Sequence, residues 1–373
     1  MPESKEMKIY FKKYWSLILV FVLFALCLWV HLISANDQWV ESVYFQSYYP
    51  LISKCQRQIF GSITWSVGDI IYALIVLFMI GYIIHFWVKR KQPKTNQAVS
   101  VKIVKLIKAF FMVTAVFYLL FNLLWGINYN RKGIAYQLNL DQKKYSVFEL
   151  NRLNSQLAQQ VNEFKSAQVK SEYQSFEKDA VLFDSTKKAY QKASLTFPFL
   201  QYQYPSIKSS SFSLLLNFLG INGYYNPFTG EAQVNTSVPV FIRPFVACHE
   251  VAHQLGYASE SEASFVGYLV AKSSDNNSLL YSAYMDLFLS ANRNLYQYDS
   301  VSAKHWRDVL DPEVKSDFKT WRSFLKSYQN PVEPFITRCY DLFLKSNHQP
   351  QGILSYDEVV LYMIQYQRKF GEL

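Results

Sequence analysis

Apolar and polar positions are arranged differently in the two parts of this chain. Up to about residue 128 apolar residues come in long runs; beyond it they recur at helical spacing among polar ones. The first run, Tyr14–Ile33 (YWSLILVFVLFALCLWVHLI), holds about 20 residues without a charge, enough to cross a ~30 Å hydrocarbon layer as a helix. Ile70–Val88 and Ala109–Ile127 repeat the pattern. Buried helices of water-soluble proteins are usually shorter and keep a polar stripe. The first run is longer than a signal-peptide core, and Ile33-Ser34-Ala35 is a weak cleavage site, so an uncleaved anchor is expected. The spacing thus predicts a membrane module, residues 1–128, with transmembrane helices at about 14–33, 70–88 and 109–127. One further domain, residues 129–373, follows.

That domain reads as mostly helical. Val147–Gln168, Tyr173–Ala193, Leu279–Tyr296, Glu313–Gln329, Pro334–Ser346 and Asp357–Phe370 place apolar residues three and four apart. Strand signals concentrate in Gly223–Val240, where Asn226-Pro227-Phe228-Thr229-Gly230 marks a turn and Glu231–Asn235 alternates polar with apolar. The expected class is mainly α: three transmembrane helices, then a mostly helical α+β domain with a small sheet.

Charge turns this pattern into a topology. The chain carries 38 basic and 28 acidic residues, a net charge of +10, with half its residues apolar and 18% charged. So few charges exclude a disordered chain, and four cysteines exclude a disulfide-built scaffold. The basic residues flank the runs: Lys5, Lys8, Lys12 and Lys13 before the first, and Lys89, Arg90, Lys91, Lys94, Lys102, Lys105 and Lys108 between the second and third. The loop Ala35–Asp69 has only Lys54 and Arg57 against Asp37, Glu41 and Asp69. By the positive-inside rule the N-terminus is cytoplasmic and the C-terminal domain lies outside a multi-pass cell membrane. Trp15, Trp29, Trp39, Trp65, Trp87 and Trp125 fall near run ends, as interfacial anchors would. A basic cluster in that position speaks for a lipid bilayer as partner, not nucleic acid.

The chemistry sits in Cys248-His249-Glu250-Val251-Ala252-His253-Gln254-Leu255-Gly256, which contains HExxH. On a helix, positions i and i+4 share a face about 6 Å apart, so His249 and His253 can present imidazole nitrogens to one Zn²⁺. Glu250 lies beside the ion, where it can take a proton from metal-bound water and pass it to a leaving amine. Phe245, Val246, Ala252 and Leu255 supply an apolar back, and Gly256 a helix stop. The segment is too polar to be a fourth span, since Arg243, Pro244 and Gln254 accompany the motif.

A third ligand is needed. Ser259 stands where a metzincin would have its third histidine, and hydroxyls bind zinc poorly, which excludes that class. Gluzincins take a glutamate from a second helix, and Glu260-Ser261-Glu262-Ala263-Ser264 fits ExxA. Glu260 is the favoured ligand, with Ser264 able to orient a histidine. Glu262 is the alternative, but it also completes a capping box with Ser259. The two glutamates point about 200° apart on a helix, so only one can face the ion.

Asn122–Arg131 (NLLWGINYNR), Gly223–Asn235 (GYYNPFTGEAQVN) and Cys248–Phe265 (CHEVAHQLGYASESEASF) resemble the signatures of an uncharacterised bacterial family of three-span membrane proteins, a domain of unknown function with a zincin-like HExxH. The resemblance covers most of the chain after the first run. It implies a membrane-anchored, gluzincin-like zinc peptidase with a zincin-like soluble domain. Members of that family commonly have Asn where this chain has Ser264.

The expected function is therefore a zinc-dependent metallopeptidase that hydrolyses cell-envelope or extracytoplasmic proteins or peptides. The alternatives are a non-proteolytic zinc-binding membrane scaffold and a cell-envelope accessory protein. The strand Glu231, Ala232, Gln233, Val234 and Asn235 is a candidate edge strand on which a substrate would lie extended. Tyr224, Tyr225, Asn226 and His305 are candidate transition-state stabilisers. Tyr281, Tyr284 and Cys248 read as packing residues. Substrate identity and oligomeric state are not specified by any of these patterns.

Overall fold

Three long helices, Glu3–Ser34, Val67–Lys89 and Asn96–Leu124, carry the apolar runs. Each contains a window long and apolar enough to cross a membrane: Leu17–Ser34, Val67–His85 and Leu106–Leu124. Little of these windows is covered by the rest of the chain; Phe21, Phe78 and Phe110 stand fully out. The computed structural model describes residues 3–89, 96–141, 143–352, 358–371 and 373. Arg90, Lys91 and Lys94 of the basic cluster, and Asp357 of the last expected helix, lie outside the described residues.

The third helix stops at Leu124, short of the end of its apolar run, because Trp125 leaves the helix at φ −161°. Its indole is buried and donates to the domain, so Trp125 is no interfacial anchor. The segment after the first helix is not a loop either. It folds as a turn of helix Asp37–Trp39, a π-helix Val40–Tyr48 and a helix Tyr49–Phe60. Val40, Tyr44 and Tyr49 pack with Val30, Trp125, Ile127, Tyr225 and Ala258 in a small core where the long helices meet the domain.

In the domain, β1 (Ile207–Ser209), β2 (Gly223–Asn226) and β3 (Glu231–Val234) form a sheet of order β1-β3-β2. β1 runs parallel to β3 with Ile207 opposite Ala232; β2 runs antiparallel with Gly223 opposite Val234. The helix Arg243–Gln254 packs over β2 and β3, and Glu260–Lys272 packs against it. A layer of Val147–Ser166, Asn277–Tyr298 and Val359–Phe370 closes the main core. The expected helices lie within a few residues of those observed. Tyr173–Ala193 is the exception: it splits into Lys170–Ser175 and Asp179–Thr196 because the chain turns at Phe176 to bury that ring.

β3 is the central strand, so the expected substrate edge is occupied on both sides. Each of its residues has structural work. Glu231 accepts from the backbone N–H of Val67 at 3.1 Å and Gly68 at 2.6 Å, closing the amino end of the second long helix with negative charge. Ala232 and Val234 enter the core, Gln233 donates to Ser66 Oγ at 2.7 Å, and Asn235 donates to Asn217 at 2.7 Å. In return Asp69, in the first turn of that helix, accepts from Ser211 N at 2.6 Å and from the Tyr224 hydroxyl. Glu231→Ala leaves two buried N–H groups unpaired and is expected to cost about 2–3 kcal/mol, read as a lowered melting temperature of the full chain in detergent.

Candidate metal centre

The helix Arg243–Gln254 begins with Pro244 in its first turn and ends at Gly256, whose φ of +89° suits a residue without a side chain. A Cβ there would also strike the rings of Tyr49 and Phe45 within 2.9 Å. The helix end is held from outside the domain core. The Gln254 carbonyl accepts from Tyr49 Oη at 2.8 Å, Ser53 Oγ at 3.0 Å and Arg57 Nη1 at 3.2 Å. The His253 carbonyl accepts from Trp125 Nε1 at 3.1 Å. Below it the Gln254 side chain donates to the carbonyls of Ser206 and Gly230 and accepts from Tyr202. The motif helix, the sheet and the helix Tyr49–Phe60 are thus tied at one residue.

One turn earlier, three donor atoms converge. His249 Nε2 and His253 Nε2 are 3.1 Å apart, and Glu260 Oε2 lies 3.1 Å from the first and 3.4 Å from the second. Zinc bonds of 2.0–2.1 Å at tetrahedral angles place ligand atoms about 3.3–3.4 Å from one another. The three separations therefore fit a single tetrahedral ion. The hydrogen bonds behind the rings fit as well. The Tyr257 carbonyl can only accept, so His253 Nδ1, 2.7 Å away, carries the proton and Nε2 keeps its lone pair for the centre. Ser264 Oγ is 3.1 Å from His249 Nδ1 and can accept a hydrogen bond there, although as a hydroxyl it can also donate. Two nitrogen lone pairs and a carboxylate oxygen facing one another repel unless a cation or protons lie between them.

The titration behaviour follows the crowding. Burial opposes the charge on His253, but Glu260, Glu250 and the Tyr257 carbonyl outweigh it and push the imidazole up to about 9. Burial lowers His249, which Glu260 only partly offsets. Burial likewise opposes ionisation of Glu260, yet the two histidines hold its carboxyl well below the usual range. At Glu250 burial outweighs the pull of the His253 imidazole, and Glu260 adds to the rise. Burial raises Glu250 to about 8, and its Oε2 has no hydrogen-bond partner among the described residues.

Glu260 and Glu262 have different companions. Glu262 points toward the segment after the third long helix, where its Oε1 accepts from Ile134 N at 2.6 Å. That contact takes the carboxylate away from the expected capping box, and Ser259 makes no side-chain cap; its hydroxyl meets Ser261 instead. Glu260 Oε1 accepts from the Tyr340 hydroxyl at 2.6 Å. Tyr340, on helix Glu333–Ser346, carries no sequence signal among 28 tyrosines. Tyr129 lies beside Glu260 too, its hydroxyl pushed up by burial and by that carboxylate.

The other candidates stand elsewhere. Tyr224 bonds Asp69, Tyr225 packs on Trp125 with ring centres 5.3 Å apart, and Asn226 Oδ1 accepts from Phe228 N and Thr229 N within its turn. His305 is exposed beside Trp306. Tyr281, Tyr284 and Cys248 are buried packing residues. The strand that does reach the centre is β2. A Cβ on Gly223 would lie 2.6 Å from Glu250 Oε1, so only glycine lets the strand pass so close. Asn235 N donates to Asn222 O, which sets the alternation of the ladder and turns the backbone groups of Gly223 and Tyr225 away from β3, along the sheet edge.

Tyr340→Phe removes the group that orients Glu260 and is expected to weaken zinc affinity about 10- to 100-fold in competition with a chelator dye. Glu262→Gln, away from the donor atoms, is expected to leave that affinity within about threefold.

No curated protein and no solved structure matches the chain at significance. Residues 44–364 match the family described as protein of unknown function, DUF3810. That match takes in the second half of the π-helix, the last two long helices, the sheet and all three converging side chains, and the chain belongs to the DUF3810 family.

Proposed function

We propose that this chain is a membrane-anchored zinc metallopeptidase in which His249, His253 and Glu260 hold the ion. The observation that carries the reading is the convergence of two imidazole nitrogens and one carboxylate oxygen, 3.1–3.4 Å apart, next to the buried Glu250 carboxyl, whose Oε2 has no hydrogen-bond partner among the described residues. When bound, the ion supplies a Lewis acid for a peptide carbonyl. Tyr257 and Ser264 fix the histidine rings, and Tyr340 fixes Glu260. Glu250 takes a proton from the attacking water and returns it to the departing amine. The open edge of β2, beside Glu250, is the strand on which an extended peptide would pair. The substrates are proteins or peptides of the cell envelope, and the positive-inside rule puts the centre on the outer side of the membrane.

Purified full chain is expected to carry one zinc per molecule, and His249→Ala or Glu260→Ala to lose it. Glu250→Gln is expected to keep the zinc and lose peptide hydrolysis by at least 100-fold, with uncleaved substrates accumulating in the envelope proteome of cells that carry it. A Glu250→Gln strain whose envelope proteome equals wild type, with zinc retained, would instead indicate a zinc-binding scaffold.

Zinc uptake by the metal-free chain is also expected to release protons. The His253 imidazole is raised to about 9, so at pH 7 it must give up a proton to bind, and affinity rises as pH climbs toward 9. Calorimetry in buffers of different ionisation enthalpy measures the release.

A further inference from the structure

Helix Glu333–Ser346 presents three kinds of surface. Tyr340 and Leu344 turn inward, the first to Glu260 and the second into full burial. Arg338, Asp341 and Lys345 form a polar flank, with Lys345 paired to Asp341 at 2.7 Å. Phe335, Cys339 and Leu342, at i, i+4 and i+7, share a further face that the described residues leave open. Phe335 is 65% and Leu342 59% exposed.

Neighbouring contacts fix the level of that face. Phe343, beside it, meets Phe121 near the end of the third apolar window, with ring centres 6.2 Å apart. Phe228, in the turn after β2, meets Phe117 of the same window at 5.1 Å. Helix Ser213–Leu219 extends the surface with exposed Leu214, Leu215 and Phe218. Asn330 Nδ2 donates to the Phe218 carbonyl at 2.7 Å, and Phe218 packs on Tyr328, so the two helices are braced together.

We propose that the face of Phe335, Cys339 and Leu342, continued by Leu214, Leu215 and Phe218, is a lipid-binding surface. Helix Glu333–Ser346 lies in the headgroup region of the bilayer crossed by the long helices, with this face among the acyl chains. A lipid surface is favoured over a second copy of the chain because the face continues the uncovered surface of the third long helix, where Phe117 and Leu120 are exposed. Arg338 and Lys345 on the flank match an interfacial helix, whose basic side chains reach the phosphates. This assignment does not depend on the metallopeptidase reading.

The test uses the full chain as Cys27→Ser/Cys55→Ser, labelled at Cys339 with an environment-sensitive fluorophore. It is placed in nanodiscs of phosphatidylcholine and phosphatidylglycerol. Acyl chains spin-labelled near the headgroup are expected to quench the label at least threefold more than aqueous iodide does. A label at Lys319→Cys, on the polar helix Pro312–Ser327, is expected to show the reverse. Phe335→Asp/Leu342→Asp is expected to move the Cys339 label to the iodide-quenched state while the chain stays in the disc. Iodide quenching of the unsubstituted face overturns the proposal. So does a label protected from both quenchers in discs holding two chains, which would make the face a contact between copies.

Discussion

A helix ends in carbonyl groups that nothing within it can satisfy, and in Arg243–Gln254 those carbonyls belong to the residues that form the centre. His253 offers its ring to the converging donors and its carbonyl to Trp125. Gln254 gives its carbonyl to Tyr49, Ser53 and Arg57 and its side chain to the sheet. A guanidinium and several neutral donors at this end also complement the helix dipole. The ring of His253 is aimed because the backbone one turn on cannot rotate. The segment between the first two long helices, with Trp125 after the third, is therefore part of the frame of the centre.

The same economy of buried charge recurs around it. Glu231 and Asp69 join the sheet to the second long helix through backbone N–H groups, and Glu262 joins the ligand-bearing helix to the start of Gly133–Gln137. Arg131 lies between the rings of Phe45 and Tyr257, donates to the Gly256 carbonyl and sits 3.5 Å from Glu41. These buried charges lie against fixed groups, whereas Glu250 Oε2 has no hydrogen-bond partner among the described residues.

Much of this was legible in the chain. The apolar runs, the helical periodicities and the spacing of His249, Glu250 and His253 each rest on local physics, and each is where the pattern puts it. Gly256 ends its helix for the same local reason. Capping boxes divide the cases well. Ser146 and Glu149 form one, with both expected hydrogen bonds, on an exposed helix start. Ser259 and Glu262 do not, because a buried N–H from a segment 128 residues away competes for the carboxylate. The rank of β3 in the sheet, the role of Tyr340 and the fold of residues 37–60 depend on partners distant in sequence, about which spacing is silent. Glu231–Asn235 alternates polar with apolar, yet both faces are buried, and the polar positions are paired inside.

The helix Tyr49–Phe60 carries a consequence for how the chain is made. Tyr49 bonds a carbonyl 205 residues later, and Arg57 reaches Gln203 and Gln254. Synthesis delivers this helix 146 to 205 residues before those partners. Until residue 254 has been made, the tyrosine, serine and arginine of this helix lack the carbonyl that they share in the folded chain, although Arg57 can already donate to Ser53 one turn away. The motif helix that completes them is itself unframed until they dock. Assembly of the centre is thus a long-range closure between segments about 200 residues apart, and a chain truncated before residue 254 leaves Tyr49, Ser53 and Arg57 without the carbonyl they share.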